Sequence, residues 1–228
     1  MNKYELVIFD LDGTLVDSAP DVLSAANKAL GQMRLPLLTN EQIKKAIGPS
    51  SEVFAAVALG EHNKHRTEEF FQIYRACYLE HCADRTAPFD GIMEMLENLR
   101  SLKLAVASNK PFIFVQKILT QLGMDTLFEI SAAPEVAGNP KPNPAMIHYL
   151  LDRFNVEPEK ALVVGDTDND ILAAQRAGVA VCAAGWGYAE KEKILALCPD
   201  FYIRHPSELT EMLCQKNSVR VVLNEQER

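Results

Sequence analysis

With 228 residues, 48% of them hydrophobic and 24% charged, the chain is long enough to bury a full core, as one large domain or as a core with a small insert. Its formal net charge is −8, and Lys and Arg are scattered without a basic run, which argues against a nucleic-acid partner. No apolar stretch approaches the roughly 20 residues that span a bilayer, and the first residues lead into a strand pattern without a signal-peptide core, so a soluble, cytoplasmic protein with no membrane partner is expected.

The first apolar run, within residues 4–10, ends on two aspartates one residue apart, Asp10 and Asp12. Four helical patterns follow one another at about 19–33, 39–47, 50–59 and 66–82, with no strand pattern between them. This predicts an inserted helical unit. Its borders are turn-rich, at 17–20 and 83–91, with Pro20, Pro88 and Gly91 as breakers. Beyond it, strand-like runs at 103–109, 128–133, 160–166, 178–185 and 200–203 alternate with helical patterns at 91–102, 112–123, 144–155, 168–178, 188–197 and 206–215. The strand runs are apolar at consecutive positions, which implies burial on both faces and predicts an α/β fold with a doubly wound parallel sheet. The expected division is a catalytic core of residues 1–17 and 88–215, a helical cap of 18–87, and a tail, 216–228, that reads as either an edge strand or a disordered end.

The five cysteines, Cys77, Cys82, Cys182, Cys198 and Cys214, lack CxxC or Cys/His ligand spacing and are expected to be reduced thiols. A zinc site or disulfide at Cys77 and Cys82 is the alternative. The histidines, His62, His65, His81, His148 and His205, form no ligand pattern.

In an open parallel sheet, ligands bind beyond the carboxyl ends of the strands. The residues placed there are Asp10 and Asp12, Ser108 and Asn109, and the run from Asp166 to Asp170, with Lys141 in a proline-stiffened loop between them. Two carboxylates about 4 Å apart repel by on the order of 4 kcal/mol at an effective dielectric of 20, so such a cluster calls for protons or a cation. Hard oxygen ligands point to Mg²⁺. With Ser108, Asn109 and Lys141 as donors facing the metal, the guest is a phosphoryl group. Asp10 can attack phosphorus to form an aspartyl-phosphate, while Asp12 protonates the leaving oxygen and later deprotonates water.

Four motifs in order, "DLDGT" at 10–14, "SN" at 108–109, "KPNP" at 141–144 and "GDTDND" at 165–170, resemble the haloacid dehalogenase superfamily, specifically its phosphatases with a helical cap after the first strand. The resemblance covers roughly residues 4–215. It implies a Rossmann-like core and Mg²⁺ held by the Asp10 carboxylate, the Asp12 carbonyl and the Asp166 carboxylate, with Asp170 close by or acting through water. It also implies that Ser108 and Lys141 hold the phosphate. Dehalogenases and phosphonate hydrolases of that superfamily lack an acid two residues after the nucleophile, where this chain has Asp12. The β-phosphoglucomutases carry a cap histidine where this chain has Val22. "LVDSAPDV" at 15–22 and "AIGPSS" at 46–51 are most similar to phosphoglycolate phosphatases. The expected substrate is therefore a small phosphorylated metabolite, first 2-phosphoglycolate, acted on by a monomer or homodimer. Pyrophosphate, nucleotides and sugar phosphates are the alternatives within the superfamily, and a non-catalytic Mg²⁺/phosphate-binding regulatory protein is the alternative outside it.

Simpler structural roles compete at several positions. Asp166 or Thr167 could N-cap the following helix, and Asp168 reads as a cap or as solvated. Lys110 reads as a solvated lysine. Gly185-Trp186-Gly187 reads as a tight loop at the rim of the site rather than a dinucleotide fingerprint. Lys44, Lys45 and Ser50-Ser51 flank the turn "AIGPSS", which is expected to reach over the substrate, with Lys45 and Ser50 as the positions that test it.

Overall fold

The computed structural model describes residues 3–214, so the 216–228 tail lies outside the described residues. In chain order the elements are β1 (Leu6–Phe9), β2 (Val16–Asp17), α1 (Ala19–Gln32), α2 (Asn40–Ala46), α3 (Ser51–Asn63), α4 (Thr67–His81), β3 (Ala87–Pro88), α5 (Ile92–Asn98), β4 (Lys103–Ala107), α6 (Phe112–Gln121), β5 (Ile130–Ala132), α7 (Pro134–Ala137), α8 (Ala145–Phe154), β6 (Ala161–Gly165), α9 (Asp168–Ala177), β7 (Ala180–Ala184), α10 (Lys191–Ala196), β8 (Phe201–Ile203) and α11 (Pro206–Cys214). Six strands form one parallel sheet in the order β5-β4-β1-β6-β7-β8.

Consecutive apolar strand residues are buried on opposite faces, as their patterning predicts. Val7 and Phe9 of β1 join one core cluster, while Leu6 and Ile8 join the other. At roughly 25 cal/mol per Å² of apolar surface removed from water, this two-sided burial is the main force holding the sheet between its helical layers. The first cluster continues without a break into the helices between β2 and β3: Val22, Ala26, Leu30, Phe54, Phe70 and Tyr78 all belong to it.

Two elements differ from the sequence reading. The turn-rich borders at 17–20 and 83–91 contain a short antiparallel pair, Val16 opposite Pro88 and Asp17 opposite Ala87. Proline is tolerated there because both strands are edges. The helical segment expected to end at 59 does end there: Gly60 adopts φ 65° and ψ 169°, which breaks the helix, and a further short turn carries α3 on to Asn63. Helix α10 begins only at Lys191, since residues 185–190 serve the site described below. All five cysteines are free, Cys77, Cys82 and Cys182 buried and the other two exposed, and all five histidines are exposed. Among the described residues, no helix is long and apolar enough to cross a membrane.

The border segments carry a buried charge of their own. Asp21, in the first turn of α1 and 2% exposed, accepts hydrogen bonds from Arg85 N at 2.8 Å, Thr86 N at 2.7 Å, Thr86 Oγ1 at 2.9 Å and Arg85 Nε at 3.2 Å. Burial raises its carboxyl, but these donors outweigh burial and hold it below the usual carboxylate range. Asp21→Ala leaves two main-chain N–H groups without an acceptor and is expected to destabilise the protein by about 2–4 kcal/mol at neutral pH. A depressed folded-state value gives stability that is present above the unfolded carboxyl's value and lost as pH falls through the folded one. The gap between wild type and variant in denaturant melts should therefore close as pH drops below about 4.

Candidate active site

Strand register decides which residues meet. Phe9 lies opposite Val106 on one side and Val164 on the other, so β1, β4 and β6 end level with one another. The residues just beyond those ends, Asp10, Ser108 and Asp166, leave the sheet along one edge, where the strand order switches direction about β1.

Three acids gather there. Asp10, Asp166 and Asp170 are 5%, 1% and 0% exposed, and a carboxylate oxygen from each lies within 4.8 Å of the others. Lys141, itself 4% exposed, joins them: its Nζ donates to Asp10 Oδ1 at 2.8 Å, Asp170 Oδ1 at 2.5 Å and the Ala107 carbonyl at 2.7 Å. Asp166 accepts from Thr14 Oγ1 at 2.9 Å and from Tyr188 N at 2.8 Å. Its room is made by two glycines. A Cβ on Gly13, where φ is +89°, would lie 2.3 Å from Asp166 Oδ2, and one on Gly187 would lie 2.2 Å from Asp166 Cβ.

The competing capping roles are now distributed. Thr167 is the N-cap of α9 and Asp170 completes a capping box, its Oδ2 accepting from Thr167 N at 3.0 Å and Thr167 Oγ1 at 2.7 Å. Asp170 thus caps and faces Lys141 at once, one oxygen for each. Asp168 is exposed and accepts only from the neighbouring Asn169 N.

Electrostatics follow from burial. Desolvation pushes Asp10 up to about 7, with Lys141 pulling it down and Asp170 and Asp12 pushing it further up. Asp166 is raised well above the carboxylate range by burial and by Asp10 and Asp170. Lys141 is held charged, because the two carboxylates outweigh the desolvation that opposes its ammonium. Three carboxyls against one ammonium leave an excess of hard oxygen donors, a set that fits Mg²⁺.

Asp12 stands apart from this cluster. Its Oδ1 accepts from Ser18 Oγ and pairs with Lys110 Nζ at 2.9 Å. Lys110 therefore departs from the solvated reading: its side chain is only 8% exposed, and its ammonium lies 4.9 Å from the centre of the Tyr78 ring. Burial opposes its charge, but Asp12 restores it. The signal available in the sequence was its place directly after Ser108 and Asn109 in a strand-to-helix turn. Ser108 Oγ accepts from Lys110 N at 3.2 Å. Asn109 uses its amide on the protein, accepting from Lys141 N at 2.7 Å and donating to the carbonyls of Lys141 at 3.0 Å and Gly48 at 2.9 Å. In this geometry Asn109 fastens the Lys141 loop to the turn after α2 while also lining the pocket described next.

A pocket opens above Asp10 and Asp12, bounded on the core side by Ser108, Asn109 and Lys110 and on the other by Val22, Ile47, Gly48, Pro49, Phe54, Tyr74 and Tyr78. The 46–51 turn thus reaches over the site through Ile47, Gly48, Pro49 and Ser51. Lys45 and Ser50 do not line it, and Lys45 is exposed. At the rim, Trp186 Nε1 donates to the Thr14 carbonyl at 2.9 Å, which places the Gly185-Trp186-Gly187 loop against the first motif.

A parallel α/β sheet with acids and a lysine at its carboxyl edge, roofed by a helical insert, defines the class of Rossmann-like proteins with a covered acidic site. The family model for haloacid dehalogenase-like hydrolases matches residues 7–184. A phosphoglycolate phosphatase of Aquifex aeolicus (strain VF5) is 38% identical over 210 residues, 91% of this chain and 96% of that protein. One from Colwellia psychrerythraea is 34% identical, covering 85% of this chain and 90% of that one. Among solved structures, a predicted phosphoglycolate phosphatase from Haemophilus somnus 129pt superposes with a TM-score of 0.87 at 31% identity, covering 93% of this chain and 99% of that one. The chain belongs to the haloacid dehalogenase-like hydrolases, and within them it is a phosphatase similar to the phosphoglycolate phosphatases.

Two expectations follow from this geometry. Gly187→Ala should displace the Asp166 carboxylate, so that the stabilisation Mg²⁺ would give, about 2.7 kcal/mol at one hundred times Kd and read as a rise in Tm, is largely lost. Because burial raises Asp10 and Asp166, an Mg²⁺ ion taken up by these acids would displace protons. Its affinity in titration calorimetry should climb as pH rises through about 7, with proton release, and be weak at pH 5.

Proposed function

We propose that the protein is a Mg²⁺-dependent phosphomonoester hydrolase that works through an aspartyl-phosphate on Asp10. The observation that carries this reading is the separation of the two motif carboxylates: Asp10 sits in the cluster with Lys141, while Asp12 faces the pocket with its own partners, Ser18 and Lys110. Two carboxyls in different surroundings can take different roles.

Asp10 attacks phosphorus, and the bond to the leaving oxygen breaks as Asp12 delivers a proton to that oxygen. Asp12, now a carboxylate, takes a proton from water as the water attacks the aspartyl-phosphate, releasing inorganic phosphate and restoring Asp10. Lys141 offsets phosphoryl charge and Ser108 offers a hydroxyl to its oxygens. Mg²⁺, held by Asp10, the Asp12 carbonyl and Asp166 with Asp170 nearby, would supply further charge neutralisation at the phosphoryl group.

The preferred substrate under this proposal is 2-phosphoglycolate, supported by the names of the relatives and by the small pocket beneath the cap helices. Val22 lines that pocket and offers no second acid or base for a mutase. A small phosphorylated metabolite is the only partner the reading needs. A monomer or homodimer in the cytoplasm is the proposed setting, and residues 18–87 are proposed as the cap.

Phosphate release from 2-phosphoglycolate, sugar phosphates, nucleotides and pyrophosphate, with Mg²⁺ and with EDTA, tests the whole reading. Metal-dependent release that peaks on 2-phosphoglycolate is expected, and no release from any ester refutes it. Asp10→Asn should abolish turnover while circular dichroism stays native; retained activity would remove the nucleophile assignment. Asp12→Asn should slow 2-phosphoglycolate turnover by about 10²–10⁴-fold. With 4-nitrophenyl phosphate, whose leaving group needs no proton, the same variant should give a stoichiometric burst and then slow turnover.

A further inference from the structure

Two groups in the pocket, one of them the ion-pair partner of Asp12, have no contact with the phosphoryl group in the chemistry above. Lys110 pairs with Asp12 at 2.9 Å, and a lysine ammonium has three donors, so this ion pair leaves capacity toward the pocket that Lys110 lines. Tyr78 lines the same pocket, is 0% exposed, and its hydroxyl has no hydrogen-bond partner. A buried hydroxyl without a partner is unfavourable, and in a residue whose side chain helps line a binding pocket a ligand acceptor that it could reach would relieve that cost. Burial keeps that hydroxyl in its neutral, donating form. Around these two the wall is apolar, formed by Val22, Phe54, Phe71 and Phe114.

Their location relative to Asp12 gives the chemistry. If Asp12 hands its proton to the leaving oxygen, a group carried one carbon from that oxygen lies beside Lys110. We propose that Lys110 and the Tyr78 hydroxyl form a subsite for a carboxylate on the leaving group, one carbon from the bridging oxygen, which makes them the residues that select phosphate esters of 2-hydroxy acids. The inference rests on the phosphomonoesterase reading and deepens it. A charge-assisted contact at a buried site discriminates more strongly than one at an exposed site. The other pocket cation, Arg75, is exposed, with its guanidinium 5.1 Å from the Phe71 ring centre.

Binding of two phosphonates in the presence of Mg²⁺ reads this without turnover. 3-Phosphonopropionate replaces the bridging oxygen of 2-phosphoglycolate by a methylene, and propylphosphonate lacks the carboxylate. Calorimetry on the full chain should show wild type favouring the carboxylated analogue by about tenfold to a hundredfold. In Lys110→Met that ratio should fall at least tenfold, and in Tyr78→Phe by about fivefold, whatever loss is common to both analogues. Tyr78→Phe removes only a hydroxyl that has no partner, so its fold should persist even if Lys110→Met is unstable.

If the ratio survives in both variants, the subsite is overturned. If it survives in them and collapses in Arg75→Met, the carboxylate lies at the exposed guanidinium and the assignment is equally overturned. A wild type that fails to favour the carboxylated analogue while releasing phosphate best from another ester overturns the choice of 2-phosphoglycolate and the subsite with it. Phosphate release with no such preference among esters would leave the hydrolase reading standing.

Discussion

The structure depends on one buried electrostatic arrangement, three carboxyl groups gathered at one point, two of them bonded to a single lysine. Each like-charge pair at this separation costs on the order of 3 kcal/mol at an effective dielectric of 20, before desolvation is counted. Such a group persists only when the surrounding structure fixes every member. The parallel register of β1, β4 and β6 delivers the acids to one level, the capping box ties Asp170 to the start of α9, and Gly13 and Gly187 keep the space for Asp166. Lys141 reaches the centre because Asn109 holds both its N–H and its carbonyl.

The second arrangement is the wall of aromatic rings that joins the helical segment to the core. Tyr74 stacks on Tyr78 with ring centres 5.3 Å apart, and Tyr78 meets Phe114 of α6 edge-on at 4.9 Å. These rings bury apolar area and at the same time line the pocket, so the packing that seats α4 against α6 also shapes the space above Asp12. A lysine inserted beside such rings keeps its charge because it meets both a carboxylate and the negative face of an aromatic ring.

Most of the fold was legible in the sequence because the strand runs are apolar at consecutive positions, and burial on both faces leaves a parallel sheet between helices as the consistent arrangement. The acids and Lys141 were legible because they fall where strands end. Other features depend on long-range contacts that local patterning does not carry. Lys110 looks like any surface lysine until α4 supplies Tyr78 and Asp12 supplies its counter-charge. The hold of the Asn109 amide on the Gly48 and Lys141 carbonyls likewise has no local pattern that announces it. The β2–β3 pair escapes notice because two residues with a proline form no periodic pattern, and Asp21 because its partners lie more than sixty residues away.

Tyr188 joins the two arrangements through opposite ends of one residue. Its N–H donates to Asp166, while its hydroxyl accepts from the N–H groups of Ser18 and Ala19 at the head of α1, donates to Asp17, and its ring meets Phe89 beside β3. The distance from main chain to hydroxyl in a tyrosine is rigid, so the spacing between the acid cluster and both linkers is set by the length of one side chain. Tyr188 consequently cannot shift along its loop without detaching one end, and Gly187 directly before it has no room for a Cβ beside Asp166, so two adjacent residues of this loop answer to the acid cluster and to the linkers at once.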